Sequence, residues 1–142
     1  MSVKSEWVLH RCIEPRKRQG QLLHVIEREL GVVGQHDLLS HAGGPARRTD
    51  AAARPVILAD FDIAINTHGA TVCIDVLHSY CGWVAEVMGI RDKKAEYEFF
   101  REIAPRIRQE LVDRYTGKKI EVVTCYADIH PVTGEIEDFR RL

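Results

Sequence analysis

The sequence predicts an α/β domain: a mainly parallel central sheet of strand order about 2-1-3-4, flanked by helices, with a C-terminal antiparallel edge strand. Three observations carry this reading. Strand-like apolar runs alternate along the chain with segments of helical periodicity, the pattern that lays helices over a parallel sheet. "TVCIDVL", residues 71–77, is β-branched and almost wholly apolar, as a strand covered on both faces must be. "HPVTGEIEDF", residues 130–139, places a Thr133, Gly134 turn ahead of a last strand, close enough to the preceding one for an antiparallel return.

In chain order, "EWVLHRC" (6–12) is a first strand ending at Cys12. After Pro15, "RKRQGQLLHVIEREL" (16–30) sets Leu22, Leu23, Ile26 and Leu30 on one helical face, with Gly31 to end it. "HDLLSHAGG" (36–44) reads as a short second strand running into a glycine turn, and "ARRTDAAAR" (46–54) as a loop or helix entrance. "PVILADFDIAINTHG" (55–69) suits a helix, with Pro55 in its first turn, Ile57, Phe61, Ala64 and Ile65 on one side, and Gly69 closing it. The third strand ends at His78. "GWVAEVMG" (82–89) is a short helix. "DKKAEYEFFREIAPRIRQELVDRYTG" (92–117) is a long one, with Phe100, Ile103, Ile107 and Leu111 spaced by three or four. Pro105 inside that pattern predicts a kink or break near Ala104. "KKIEVVTCYADI" (118–129) is the next strand. With no repeats and no low-complexity linker, residues 1–142 read as a single domain.

The 142 residues are 45% hydrophobic and 29% charged, ordinary for a globular protein with its own core. Twenty basic against twenty-one acidic residues leave a net charge of -1, so no whole-molecule field draws nucleic acid or an anionic membrane. The N-terminus lacks a long apolar segment followed by a small-residue cleavage site, and nowhere do eighteen apolar residues run together. The expectation is a cytoplasmic protein with neither nucleic acid nor membrane as partner. Its four cysteines, Cys12, Cys73, Cys81 and Cys125, then suit metal binding or thiol chemistry more than disulfides.

In a sheet of order 2-1-3-4 the first and third strands are neighbours, and ligands gather beyond their carboxyl ends, where strand order reverses. Cys12 ends the first strand, His78 ends the third, and Cys81 follows three residues later in "HSYC". Two thiolates and an imidazole form a donor set that suits zinc, with a fourth position over; iron and cobalt take the same donors. At about 3.3 Å per residue, Cys73 lies roughly 16 Å along the strand from His78, too far to share its metal. Cys73 and Cys125 are therefore expected in the core. "HSYC" alone is a weak signal, since such a pair is often a packed strand end and a buried thiol. It gains weight from "CIEPR" (12–16), where Cys12, Glu14 and Arg16 alternate and so share one side of an extended segment, with Arg16 able to hold Glu14 in a bidentate pair.

C-x-acid-x-R after the first strand, here "CIEPR", together with H-x-x-C-G after the third, here "HSYCG", resembles the β-class carbonic anhydrases, in particular their short, divergent members. That family's pattern is C-x-D-x-R followed by H-x-x-C, and "DLLSHAGGPARR" is similar to its second-strand glycine turn. The resemblance covers Trp7 to Ile129 in element order. It implies one zinc ion per chain held by Cys12, His78 and Cys81, with Glu14 and Arg16 standing as catalytic residues where the family has an aspartate and arginine dyad. It also implies reversible hydration of carbon dioxide to bicarbonate by a homodimer or higher homo-oligomer. Glu14 departs from the aspartate, and its extra methylene either alters how a water is oriented or lets the carboxylate reach the metal.

Three readings follow: a zinc lyase acting on carbon dioxide, or on carbonyl sulfide or carbon disulfide; a non-catalytic zinc module closed by Glu14; and a thiol redox protein, disfavoured because Cys12 and Cys81 form no C-x-x-C pair. Among other residues, His41 is either a proton relay lining the pocket or, the preferred reading, a partner of the turn backbone. Gly43 and Gly44 either admit a small anion close to the backbone or simply make the turn. Tyr80 and Trp83 are packing residues beside Cys81. "RKR" (16–18, Arg16 apart) and "RR" (47–48) are solvated faces. His10, His24, His36, His68 and His130 share no ligand spacing with the site.

Overall fold

A computed structural model of the chain describes residues 3–14 and 19–142. Five strands lie in the order β2-β1-β3-β4-β5: β1 (Trp7–Cys12), β2 (His36–His41), β3 (Val72–His78), β4 (Glu121–Ile129) and β5 (Ile136–Arg141). The first four run parallel and β5 returns antiparallel to β4, as the sequence predicts. Alternation along β1 sends Trp7 and Leu9 to one face and Val8 to the other. On the first face lies α1 (Gln19–Leu30), whose Leu22, Leu23 and Ile26 pack with Trp7, Leu9, Ile74 and Val76. On the second lie α2 (Arg54–Asp62) and α4 (Lys93–Arg114), which bring Ile57, Leu58, Phe61, Leu111 and Tyr115 against Val8 and Cys73. A short α3 (Gly82–Glu86) follows the third strand. Cys73 and Cys125 are fully buried, and burial pushes both thiols up to about 12, so neither carries reactive thiolate near neutrality.

Three segments differ from expectation. Residues Gly44–Thr49 form a 3-10 turn, and α2 runs on through a π-helical turn at Ile63–Thr67. The helix expected to kink or break near Ala104 runs through Pro105 to Arg114 without a break. Buried Phe100, Ile103 and Ala104 before the proline and Ile107 and Leu111 after it pack the two halves onto one core, and tertiary burial outweighs the lost backbone bond.

The third difference concerns Arg48, which sequence reasoning put on a solvated face with Arg47. Arg47 is partly exposed, but Arg48 is 2% exposed. Its guanidinium forks onto Asp75 at the centre of the sheet, Nη1 to Oδ1 at 2.8 Å and Nη2 to Oδ2 at 2.7 Å, and Nη2 also donates to the carbonyl of Ile107 at 3.0 Å. Asp75 is the one acidic residue of an apolar strand covered on both faces, where a carboxylate needs a cation and hydrogen bonds to be tolerated. The pair thus fastens the 3-10 turn to β3 and to α4 together. Arg48 Nη1 donates at 3.0 Å to Nδ1 of the fully buried His10. A guanidinium only donates, so His10 carries its proton on Nε2 and passes it toward His41 Nδ1, 3.0 Å away. Burial, then the charge of Arg48, then His41 hold the His10 pKa well below the ordinary histidine range.

Two predictions follow from this cluster. Asp75→Asn removes the forked partner of a buried arginine, leaving it only the 3.4 Å contact with Glu110, and is expected to cost about 3 kcal/mol in urea denaturation. Because the folded pKa of His10 is depressed, the unfolded chain binds its proton first. Its contribution is complete above about pH 6.5 and is lost as pH falls through the ordinary histidine range toward the lower folded value. Urea midpoints taken from pH 8 to pH 5 should therefore fall less steeply in His10→Asn than in the wild type; equal slopes would assign the acid sensitivity elsewhere.

Candidate metal centre

The ladder between β1 and β3 pairs Arg11 with Val76. One residue past that pair β1 delivers Cys12, and two residues past it β3 delivers His78. The chain then turns sharply. Tyr80 takes a left-handed conformation, φ 57°, unusual without glycine and costing about 1–2 kcal/mol, and the reversal returns Cys81 to the same point. The Sγ atoms of Cys12 and Cys81 and a ring nitrogen of His78 lie within 4.8 Å of one another, all three residues being buried. The loop is held on one side by Ser79, whose amide donates to Ala127 at 3.0 Å and whose hydroxyl accepts from the Ile129 amide at 2.8 Å. On the other side the amides of Tyr80 and Cys81 donate to Oε1 and Oε2 of Glu96, each at 2.9 Å.

His78 Nδ1 donates to the Ser79 carbonyl at 2.7 Å, since a carbonyl can only accept. Nε2 is then left with a lone pair; it is buried and has no hydrogen-bond partner, and the nearest carboxylate oxygen, Oε2 of Glu14, is 3.6 Å away. A hydrogen bond from Cys81 lowers the Cys12 pKa, helped by the amides of Gly43 and Ile13 against the opposing effect of burial, while that same bond and burial raise Cys81. Burial alone would keep His78 neutral, but Cys81 and Glu14 outweigh it and raise its pKa. Two sulfurs and a buried imidazole nitrogen within 4.8 Å of one another are a set that a divalent cation satisfies at once, and zinc is the ordinary choice for such donors.

The glycine turn reaches the site from behind. A Cβ on Gly44, φ 51°, would stand 2.7 Å from the Cys12 nitrogen, and one on Gly43, φ 85°, 2.6 Å from the Trp83 ring. These glycines therefore permit backbone contact with Cys12 rather than contact with an anion. Trp83 is buried as expected, whereas Tyr80 is 39% exposed, its ring under the Lys93 ammonium at 5.4 Å. His41 fits neither expectation: its ring bonds His10 and lies 3.3 Å from Asp60 Oδ2, and it does not line the cavity described next.

A cavity of about 50 Å³ opens beside the donors, room for roughly three or four water-sized centres. Its walls are apolar, from Leu22, Val76, Ala127, Ile129 and Ile136, while Cys12, Glu14, His78 and Arg11 bring the polar atoms. Cys12 and Glu14 thus face the same space; Arg16 lies outside the described residues. Arg11 was missed by sequence reasoning, although a cation alternating with Trp7 and Leu9 on a buried strand was a usable signal. Burial lowers its pKa and the Cys12 sulfur opposes that, but a guanidinium keeps its charge at any working pH. Ser79 and Glu96 were missed as well, and for Glu96, fifteen residues beyond Cys81, the sequence carries no signal at all.

No family model and no curated protein matches the sequence. Solved structures do. The β-carbonic anhydrase CafA of the fungal pathogen Aspergillus fumigatus superposes over 99% of this chain and 76% of its own, with a TM-score of 0.56 at 12% identity. The apo form of carbon disulfide hydrolase does so over 99% and 79%, with a TM-score of 0.52 at 15% identity. One of two tetrameric β-carbonic anhydrases from Sordaria macrospora does so over 99% and 82%, with a TM-score of 0.50 at 14% identity. The chain therefore has a divergent β-carbonic anhydrase-like fold, in which Cys12, His78 and Cys81 form a group that could hold a metal ion.

Proposed function

We propose that this protein is a zinc-dependent lyase that hydrates carbon dioxide reversibly to bicarbonate. The observation that carries the reading is a cluster of two thiols and one imidazole, two of whose members, Cys12 and His78, line a small apolar cavity that also presents one carboxylate and one guanidinium. Cys12, His78 and Cys81 are the residues that would hold zinc. The ion would supply the Lewis acidity that lets water act as a nucleophile near neutral pH. Glu14 accepts a hydrogen bond from that water and aims it into the cavity. Arg16, two residues on in sequence, would on the family resemblance restrain Glu14 from moving onto the ion. Val76, Ile129 and Leu22 make a dry wall that favours a linear, uncharged molecule over bulk water. Arg11 offers a positive charge where the neutral substrate becomes an anion.

The apolar lining and the likeness to carbon disulfide hydrolase favour a second reading at the same centre, hydrolysis of carbon disulfide or carbonyl sulfide. The third reading, a non-catalytic module, has Glu14 as a fourth donor; its Oε2 lies 3.6 Å from His78 Nε2, close to the separation of two ligands on one tetrahedral zinc. The tetrameric Sordaria neighbour supports a homo-oligomer here as well. Among the described residues no helix is long and apolar enough to cross a membrane, and four free thiols suit a reducing, cytoplasmic setting.

Purified protein is expected to contain one zinc per chain and to hydrate carbon dioxide in stopped flow, with the rate lost on chelation and restored by zinc. Sulfide release from carbon disulfide in place of hydration would select the second reading, zinc with no turnover at any pH the third, and protein that takes up no zinc would overturn all three. Glu14→Ala should retain zinc yet lose about 10²-fold in kcat/KM. Arg11→Gln should raise the KM for bicarbonate about tenfold in the dehydration direction, the worth of one charge-assisted contact, and leave the KM for carbon dioxide unchanged.

A further inference from the structure

We propose that Glu96 is a positioning residue for the metal centre: from α4 its buried carboxylate holds the Ser79–Cys81 loop and so sets how tightly, and for how long, Cys81 grips the ion. The proposal rests on the metal-site reading above. Of the three donors, Cys12 and His78 end strands whose places are dictated by the sheet ladder. Cys81 has no such support. It stands three residues past β3, beyond a left-handed residue that resists its own conformation.

What compensates is a carboxylate that is 3% exposed and takes two successive amides, Tyr80 N on Oε1 and Cys81 N on Oε2, each at 2.9 Å. Both bonds are charge-assisted, and their parallel geometry fixes direction as well as distance. Glu96 is itself placed rigidly. It lies in the first turn of α4, where the helix N-terminus favours negative charge, its own amide donates to the Asp92 carbonyl at 2.9 Å, and the Asp92 side chain caps the helix through Ala95. The arrangement also commits the Cys81 amide to the Glu96 carboxylate. Outer groups that orient metal ligands commonly govern affinity by 10–100-fold.

The test compares wild type, Glu96→Gln and Glu96→Ala. Zinc affinity is measured by competition with a chromophoric chelator, zinc release by transfer to excess chelator, and the position of the thiolate-to-metal absorption band in the cobalt-loaded protein, alongside urea unfolding of the metal-free chains. Gln keeps the shape of Glu but turns an NH2 group against one of the two amides. The expected result is a zinc Kd raised about 10–100-fold and faster release in Glu96→Gln, a larger loss in Glu96→Ala, and a shifted cobalt band, none of it in proportion to the change in metal-free stability. If Glu96→Gln does not fold, Glu96→Asp, which withdraws the carboxylate by one methylene, carries the same comparison. Variants that bind zinc as tightly as wild type, with an unmoved cobalt band, would overturn the assignment of Glu96 alone. A wild type that binds no zinc would overturn the metal-site reading beneath it.

Discussion

Everything distinctive about this molecule depends on β1 and β3 lying side by side and parallel. From that shared position the chain leaves in opposite directions, to β2 through α1 on one face and to β4 through α4 on the other. The two strand ends are therefore left uncrowded by a connection between them, and a cleft opens there for purely topological reasons. Cys12 and His78 reach that cleft because each ends its strand. Loop geometry then has only one donor left to deliver.

The cleft would be shapeless without the buried pair of Arg48 and Asp75. A carboxylate in the middle of a doubly covered strand is unfavourable unless paired, and the arginine that pairs it comes from the 3-10 turn following the two glycines. Fixing that turn to the sheet presses Gly44 against the Cys12 backbone and brings the Gly43 amide to its sulfur. The same arginine reaches α4 through Ile107, and α4 in turn supplies Glu96 to the Cys81 loop. One helix and one turn, both remote from the donors in sequence, thus position two of the three through contacts made with buried charge.

Polarity is divided between the two faces of the sheet in a way that serves these ends. On the α2 side, His10, His41, Arg48 and Asp75 form a closed hydrogen-bonded network that stabilises and orients. On the α1 side the face is apolar up to the strand ends, where Arg11, Glu14 and His78 appear at the rim of a cavity. The separation follows from strand alternation: His10 and Arg11 are adjacent in sequence and face opposite ways.

Periodicity and local chemistry pointed to the parallel sheet and its antiparallel last strand, and, with the order 2-1-3-4 supposed and the family resemblance beside it, to the meeting of Cys12, His78 and Cys81, because each follows from patterns within a few residues or from the way parallel strands connect. They were not enough to choose between a kink and a break at Pro105, where packing on both sides carries the helix through a local breaker, or to anticipate the buried fate of Arg48, which reads like its partly exposed neighbour Arg47. Nor could they single out Glu96. Such residues act on partners fifteen to sixty positions away, and no spacing rule spans that distance. Only the packed structure decides which charges are taken out of water, since desolvation is a property of the whole surroundings and not of the residue that bears the charge.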